Sequence, residues 1–267
     1  MGLFALVAPH LFMSEIRQPG MLLLLTVLFG LPMSLFEYLY HRYLLHSAVL
    51  PFMSSMHRAH SLHHGLTSVT APVSPKEPAK LVPVDNEFPI EEEHQEEAMM
   101  FPFYALPIFF LIFFGLITVP MKLLFPHLPS VSAMLVGVTL YYSFYELWHQ
   151  VLHLPFERFW EPLMEGRWTK RVARRVYGFH LMHHWRPSSN LAITGFWGVA
   201  VWDYVFRTHR RPERLPLEGA EVNYHDATLA KPLWPISQLD RWQRGLYKAS
   251  RATENFLARV FLRRGKT

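Results

Sequence analysis

Polar residues thin out over three stretches of the chain. Residues 21–40 (MLLLLTVLFGLPMSLFEYLY), 99–119 (MMFPFYALPIFFLIFFGLITV) and 131–148 (VSAMLVGVTLYYSFYELW) are nearly continuous in apolar character. A bilayer core of about 30 Å needs roughly 20 such residues in a helix, so each stretch reads as a span, with a buried soluble helix as the alternative. A fourth stretch, 191–206, is shorter and contains Asp203, and reads as a buried or interfacial helix. Between the spans, residues 65–98 are proline-rich and end in acidic side chains. They read as a solvated connector; the sharper reading is a lid or a docking surface for a basic electron donor. Residues 156–179 set Arg158, Arg167, Lys170, Arg171, Arg174 and Arg175 among aromatic and aliphatic side chains, which suits an anionic membrane face. Residues 239–264 alternate apolar and basic positions, as expected for a surface helix or one packed on a cytoplasmic domain. The pattern predicts an all-α, integral-membrane protein with about three to four transmembrane helices. Its divisions are an N-terminal tail (1–20), a membrane domain (21–212) and a basic C-terminal tail (213–267).

Composition agrees. Hydrophobic residues make up 51% of the 267, with 21 Phe and 8 Trp. The charge is asymmetric: of 26 Lys and Arg, all but Arg17 and Lys122 fall in 41–98 or 149–267. By the positive-inside rule both regions, and the C-terminus, are cytoplasmic and the N-terminus is external. The basic balance is therefore a topology signal, and nothing resembles a nucleic-acid module. With no cysteine, thiolate metal sites, disulfides and cysteine nucleophiles are excluded. The first twenty residues lack the basic start and cleavage site of a signal peptide, so the first span is expected to be retained.

Ten of the sixteen histidines fall into four groups: His41 and His46; His60, His63 and His64; His149 and His153; His180, His183 and His184. At about 100° per residue, His149 and His153 share a face, and each H-x2-H-H offers three rings within an arc of about 100°. His57 points within about 60° of His60 and is an eleventh candidate. His41 and His46 fit less well, about 140° apart on a regular helix, so the helix ends between them or they flank the cluster. Imidazole suits iron, zinc and copper. One ion takes about four to six ligands, so ten point to two ions against a membrane. Glu37 and Glu146 lie on the faces of His41 and His149 within largely apolar helices. Each can accept a ligand's ring N–H and so fix its tautomer, a supporting catalytic role; the alternative is snorkelling to the interface.

At these residues the chain resembles the fatty acid hydroxylase superfamily, which includes sterol desaturases and sterol methyl oxidases. The similar stretches are EYLYHRYLLH (37–46), HRAHSLHH (57–64), YELWHQVLH (145–153) and HLMHHWRPSSN (180–190). The last continues into VWDYVFRTHRR (201–211), like the family's closing Asn and Trp-Asp-x-x-Phe. The resemblance covers roughly residues 30–212. It implies a helical cytoplasmic domain carrying a dinuclear non-haem iron centre that uses O2 and two electrons. The implied ligands are His41, His46, His60, His63, His64, His149, His153, His180, His183 and His184, with zinc able to replace iron in preparations. No haem motif for a fused cytochrome b5 domain is seen. The expected partners are therefore a membrane lipid substrate and a separate electron donor: a ferredoxin, a cytochrome b5 or a reductase. The expected setting is a multi-pass protein of a bacterial inner membrane or the endoplasmic reticulum.

The reading is an O2-dependent lipid hydroxylase, with Phe36, Tyr142, Tyr145 and Trp148 as candidate substrate walls or core residues. Its alternatives are desaturation or C–C oxidation on the same centre, and a non-redox zinc hydrolase or metal carrier. The hydrolase is disfavoured by the lack of H-E-x-x-H, and the carrier by histidines gathered at one membrane face.

Overall fold

The computed structural model describes residues 2–51, 54–66, 100–102, 104–210 and 231–264, short pieces between 68 and 85, and residues 221–222. Helices α1 (Gly2–Val7) and α2 (Pro9–Ile16) precede α3 (Pro19–Tyr40), which continues as a wider π turn over His41–Leu45. Next come α4 (Ser54–Leu66), α5 (Ala105–Phe113), a second π turn (Phe114–Thr118) and α6 (Val119–Leu124). Then follow α7 (Ser130–Leu152), a third π turn (Phe156–Trp160), α8 (Glu161–Glu165) and α9 (Lys170–Trp185). The chain closes with α10 (Val201–Val205) and α11 (Ile236–Arg264). The architecture is helical, as expected. The departures among the described residues are two antiparallel pairings of two-residue strands. Ser68–Val69 pairs with Val84–Asp85, and Lys80–Leu81 with Glu221–Val222. Most of the proline-rich stretch 65–98, read as a connector or lid, lies outside the described residues.

Helix α7 packs between α3 and α5, around Phe29, Met33, Phe109, Phe113, Met134 and Val138. A Cβ at Gly137 would sit 3.1 Å from Phe29 Cβ and 3.3 Å from the Thr26 carbonyl, so glycine lets α3 and α7 close. A second core joins the end of α7 to α8 and α9 through Leu152, Trp160, Tyr177 and Leu181. A third sets Tyr38 of α3 against Leu191, Phe206 and Ile236. The second and third cores thus meet the C-terminal ends of α7 and α3, where the sequence places histidines.

Among the described residues, two helical stretches are long and apolar enough to cross a membrane: Pro19–Leu45 and Ala105–Leu124. The third expected span is an unbroken 23-residue helix but is not one of them. Its packing explains the difference: Ser130, Ser132, Gly137 and Tyr141 are buried against neighbouring helices, where small and polar side chains serve better than leucine.

Residues 2–16, expected as a tail, are helical and docked. Buried Glu15 accepts the Ser132 N–H at 2.6 Å and the Val131 N–H at 3.3 Å, and pairs with Lys122 at 2.6 Å. The carboxylate thus satisfies the first free amides of α7 and complements its positive end. Glu15→Ala should cost about 2 kcal/mol of stability in detergent unfolding while leaving metal content unchanged. An unaltered midpoint would mean that the cap is dispensable.

Candidate metal centre

The four histidine groups meet. His41, His46, His60, His64 and His183 each turn a ring nitrogen to one point, all within 4.8 Å of one another, and His63, His153, His180 and His184 do the same beside them. Each H-x2-H-H is divided between the two clusters. In α4 the i, i+4 pair His60 and His64 joins the first while His63 joins the second; in α9 the pair His180 and His184 joins the second while His183 joins the first. Residues four apart share a helix face and the residue between them points to its edge, so one such helix can serve two neighbouring ions. The clusters touch, with His64 and His184 ring centres 4.3 Å apart. His149 flanks the second, its ring 4.8 Å from His63 and 5.2 Å from His153.

The π turn removes the difficulty at His41 and His46. The His46 amide bonds the His41 carbonyl, five residues back, at 3.2 Å. In such a turn, residues five apart lie nearly one above the other. The two rings stack 5.0 Å apart and only 15° from parallel. The sequence carries no proline or glycine there to mark the wider turn.

Protonation fits ligation. His41 Nδ1 donates to the Leu191 carbonyl at 2.7 Å and His183 Nδ1 to the Ser189 carbonyl at 2.9 Å. A carbonyl only accepts, so these rings carry hydrogen on Nδ1 and present an Nε2 lone pair. In the first cluster the His60 Nε2 lies 3.0 Å from that of His41, 3.2 Å from His46 and 3.1 Å from His64. One N–H at His60 serves one of these three neighbours; a cation among them uses every lone pair. The spacing is that of adjacent ligands on an octahedral ion, about 3.0 Å for a metal–nitrogen bond of about 2.1 Å. In the second cluster, His180 Nε2 lies 2.7 Å from His153 and 3.0 Å from His184. Burial, and then neighbouring imidazoles, hold His46, His60, His63, His64, His180, His183 and His184 well below the usual imidazole range. All seven are therefore neutral, the form that binds metal. These buried histidine groups can hold metal ions.

The two carbonyls lie on the segment between α9 and α10, which is pinned from four directions. Asp203, fully buried, accepts the Leu191 and Ala192 amides at 3.0 and 2.8 Å and the Thr208 hydroxyl at 2.7 Å. Glu37 accepts the amides of Thr194 and Gly195 at 2.8 and 3.0 Å and the Tyr141 hydroxyl. Gly195 has φ +56°, and a Cβ there would meet the Val199 carbonyl, so the turn requires glycine. Asn190 donates to the Phe179 and Arg210 carbonyls and accepts the Arg210 amide. Arg42 donates to the Ser188 carbonyl and pairs with Asp240.

Glu37 and Glu146 were expected to receive a ligand's ring N–H, and that contact is not the one formed. Both Glu37 oxygens are taken by the 194–195 amides and Tyr141, while the His41 ring goes to a backbone carbonyl instead. Glu37 thus acts one step further out, on the segment that holds His41. Glu146 accepts the Phe101 amide at 2.9 Å, tying the entry of α5 to α7. His57 lies outside both clusters, its Nδ1 bonded to the Leu45 carbonyl at 2.6 Å. The backbone clamps escaped sequence reading because a carbonyl leaves no side-chain signature; Asp203, a lone charge in an apolar run, was the available clue.

Comparison of the chain with family models, with curated proteins and with solved structures finds no match in any of the three.

Asp203→Asn should weaken metal binding about 10- to 100-fold in chelator competition, as for other groups that orient ligands. Equal affinity would mean that the segment holds Leu191 without it. Because the clustered imidazoles are already neutral, affinity should stay level as pH falls through about 6.5, the ordinary imidazole value. A steep decline starting there would show that the rings titrate as exposed histidines.

Proposed function

We propose that this chain is an integral-membrane di-iron oxygenase that hydroxylates an unactivated C–H bond of a lipid tail, as the resemblance of its histidine boxes implies. The observation that carries the reading is the position of His41. It is a member of the first cluster and also lines an apolar pocket between α3, α5 and α7. Met33, Phe36, Tyr40, Phe101, Phe109, Phe113, Tyr142 and Tyr145 form the walls. The apolar lining suits a lipid tail chemically, and a tail lodged against it would have its far end beside His41. Three of the four aromatic residues proposed as substrate walls line this pocket; Trp148 instead lies tilted against Phe144.

The membrane setting is supported by what the two apolar helices leave uncovered. Only 33% of the apolar window in Pro19–Leu45 and 17% of that in Ala105–Leu124 are buried, whereas the core helix of a soluble protein would be mostly covered. Leu23, Leu111, Leu116 and Leu123 stand well exposed, an apolar surface suited to lipid. With α7 counted as a packed third span, the positive-inside rule would put both histidine regions on the cytoplasmic side and the N-terminus outside. A separate ferredoxin, cytochrome b5 or reductase would then deliver electrons from that side.

Five converging imidazoles exceed the four that zinc takes, which favours iron in the first cluster. Two irons so held would supply the O2 chemistry that removes hydrogen from an aliphatic carbon. The chain's own residues set the conditions. Aromatic walls align the tail and exclude water, and the Ser189 and Leu191 carbonyls fix the imidazole tautomers.

Replacing any one of His63, His64, His149, His183 or His184 with Ala should abolish turnover while the protein still inserts. Near-normal turnover in two or more of these variants would sink the assignment. In lipid extracts of cells with and without the gene, the product should carry one added oxygen atom. Loss of two hydrogens would reassign the centre to desaturation, and an unchanged lipid profile with zinc alone bound in iron-replete cells would remove the oxygenase reading.

A further inference from the structure

Helix α11 carries side chains that none of the chemistry above uses. Trp242, Leu246, Ala249 and Phe256 fall within an arc of about 80° at 100° per residue. Three of them are large and uncovered: Trp242 is 56% exposed, Leu246 50% and Phe256 64%. Arg241, Arg244, Lys248, Arg251 and Arg259 occupy a second arc of about 80°, roughly opposite the first. The helix is rooted where α3 ends. Ile236 is buried against Tyr38 and Leu191, and Asp240 pairs with Arg42 and accepts the Tyr43 hydroxyl at 2.9 Å. At about 1.5 Å per residue its 29 residues run roughly 44 Å from that point.

We infer that α11 is a surface-lying helix that binds an anionic lipid bilayer. Its apolar stripe enters the headgroup boundary and its basic side chains meet anionic headgroups. Large amphipathicity, aromatic and aliphatic groups on one face and Arg/Lys on the other are the features of such helices. The root at the end of α3 sets the helix at the level where the candidate span leaves the bilayer. A second copy of the chain packed on the stripe would leave the basic arc, on the far side, without an anionic partner, whereas an anionic bilayer offers the stripe an apolar boundary and the arc its headgroups. The inference rests on the reading that α3 and α5 meet a bilayer, and the test separates the two.

The chain has no cysteine, so one introduced cysteine carries one fluorophore without background. Leu246→Cys, Lys248→Cys and Leu111→Cys of the full chain, each bearing a nitrobenzoxadiazole label, are placed in phosphatidylcholine discs with or without phosphatidylglycerol. Nitroxide lipids are the quenchers. The label at 246 should be quenched by shallow nitroxides several-fold more than the label at 248, and more strongly when phosphatidylglycerol is present. Adding Arg244→Gln with Lys248→Gln to Leu246→Cys should weaken occupancy on the order of tenfold. Equal quenching at 246 and 248, or quenching at 246 indifferent to phosphatidylglycerol, would overturn the inference. So would protection of 246 that persists in lipid-free detergent and grows with protein concentration, which would assign the stripe to another protein. The label at 111 should be quenched by deep nitroxides. If it is not, the bilayer-crossing reading itself fails; if it is and 246 is not, only the inference about α11 fails.

Discussion

The convergence of nine imidazoles, seven of them buried and two half-buried, is the constraint from which the rest follows. A charged imidazole in such a place would meet both a lost hydration shell and its neighbours' repulsion, which disfavours the charged form. Neutrality alone does not aim a lone pair. Each ring has two nitrogens, and a metal site needs the hydrogen on the outward one. At His41 and His183 the outward Nδ1 meets a main-chain carbonyl, which can only accept and so settles the tautomer. The segment bearing those carbonyls must then be rigid. That requirement accounts for the buried Asp203, for Glu37 reaching from α3, for Asn190 bridging to residue 210, and for Arg42 held by Asp240.

The same constraint explains what could be read from the sequence. Spacing reports which residues share a helix face, so the two H-x2-H-H groups and the pair His149 and His153 were legible as converging sets. Their division into two interleaved clusters was not, because it depends on how the histidines of α4 and α9 meet in space. The H-x4-H at His41 looked discordant only under regular helix geometry; the π turn supplies the missing rotation. Glu37 and Glu146 show the opposite limit. Their faces were read correctly, yet a face does not choose a partner. In a buried site, unsatisfied backbone amides compete for a carboxylate as strongly as any ring N–H.

Hydropathy had a similar reach. Helices α3 and α5 keep large apolar side chains turned outward and read plainly as candidate spans. Helix α7 packs one face against other helices while Leu140 and Leu147 stay exposed, and its serines, glycine and tyrosines lower its apolar character without shortening it. It is also the helix that delivers His149 and His153, so the least lipid-like segment lies closest to the polar centre. Glu15 and Lys122 hold its opposite end. The N-terminal helices thus help to set the height at which the histidines of α7 stand.

Two adjoining metal ions can be held by these histidines, and anomalous scattering from the intact protein, purified from iron-replete cells, decides whether they are. The expectation is two metal peaks per chain at the iron edge. One should lie among His41, His46, His60, His64 and His183, and the other among His63, His153, His180 and His184. A single peak shared by all the rings, or metal bound elsewhere with both clusters intact and empty, would contradict it.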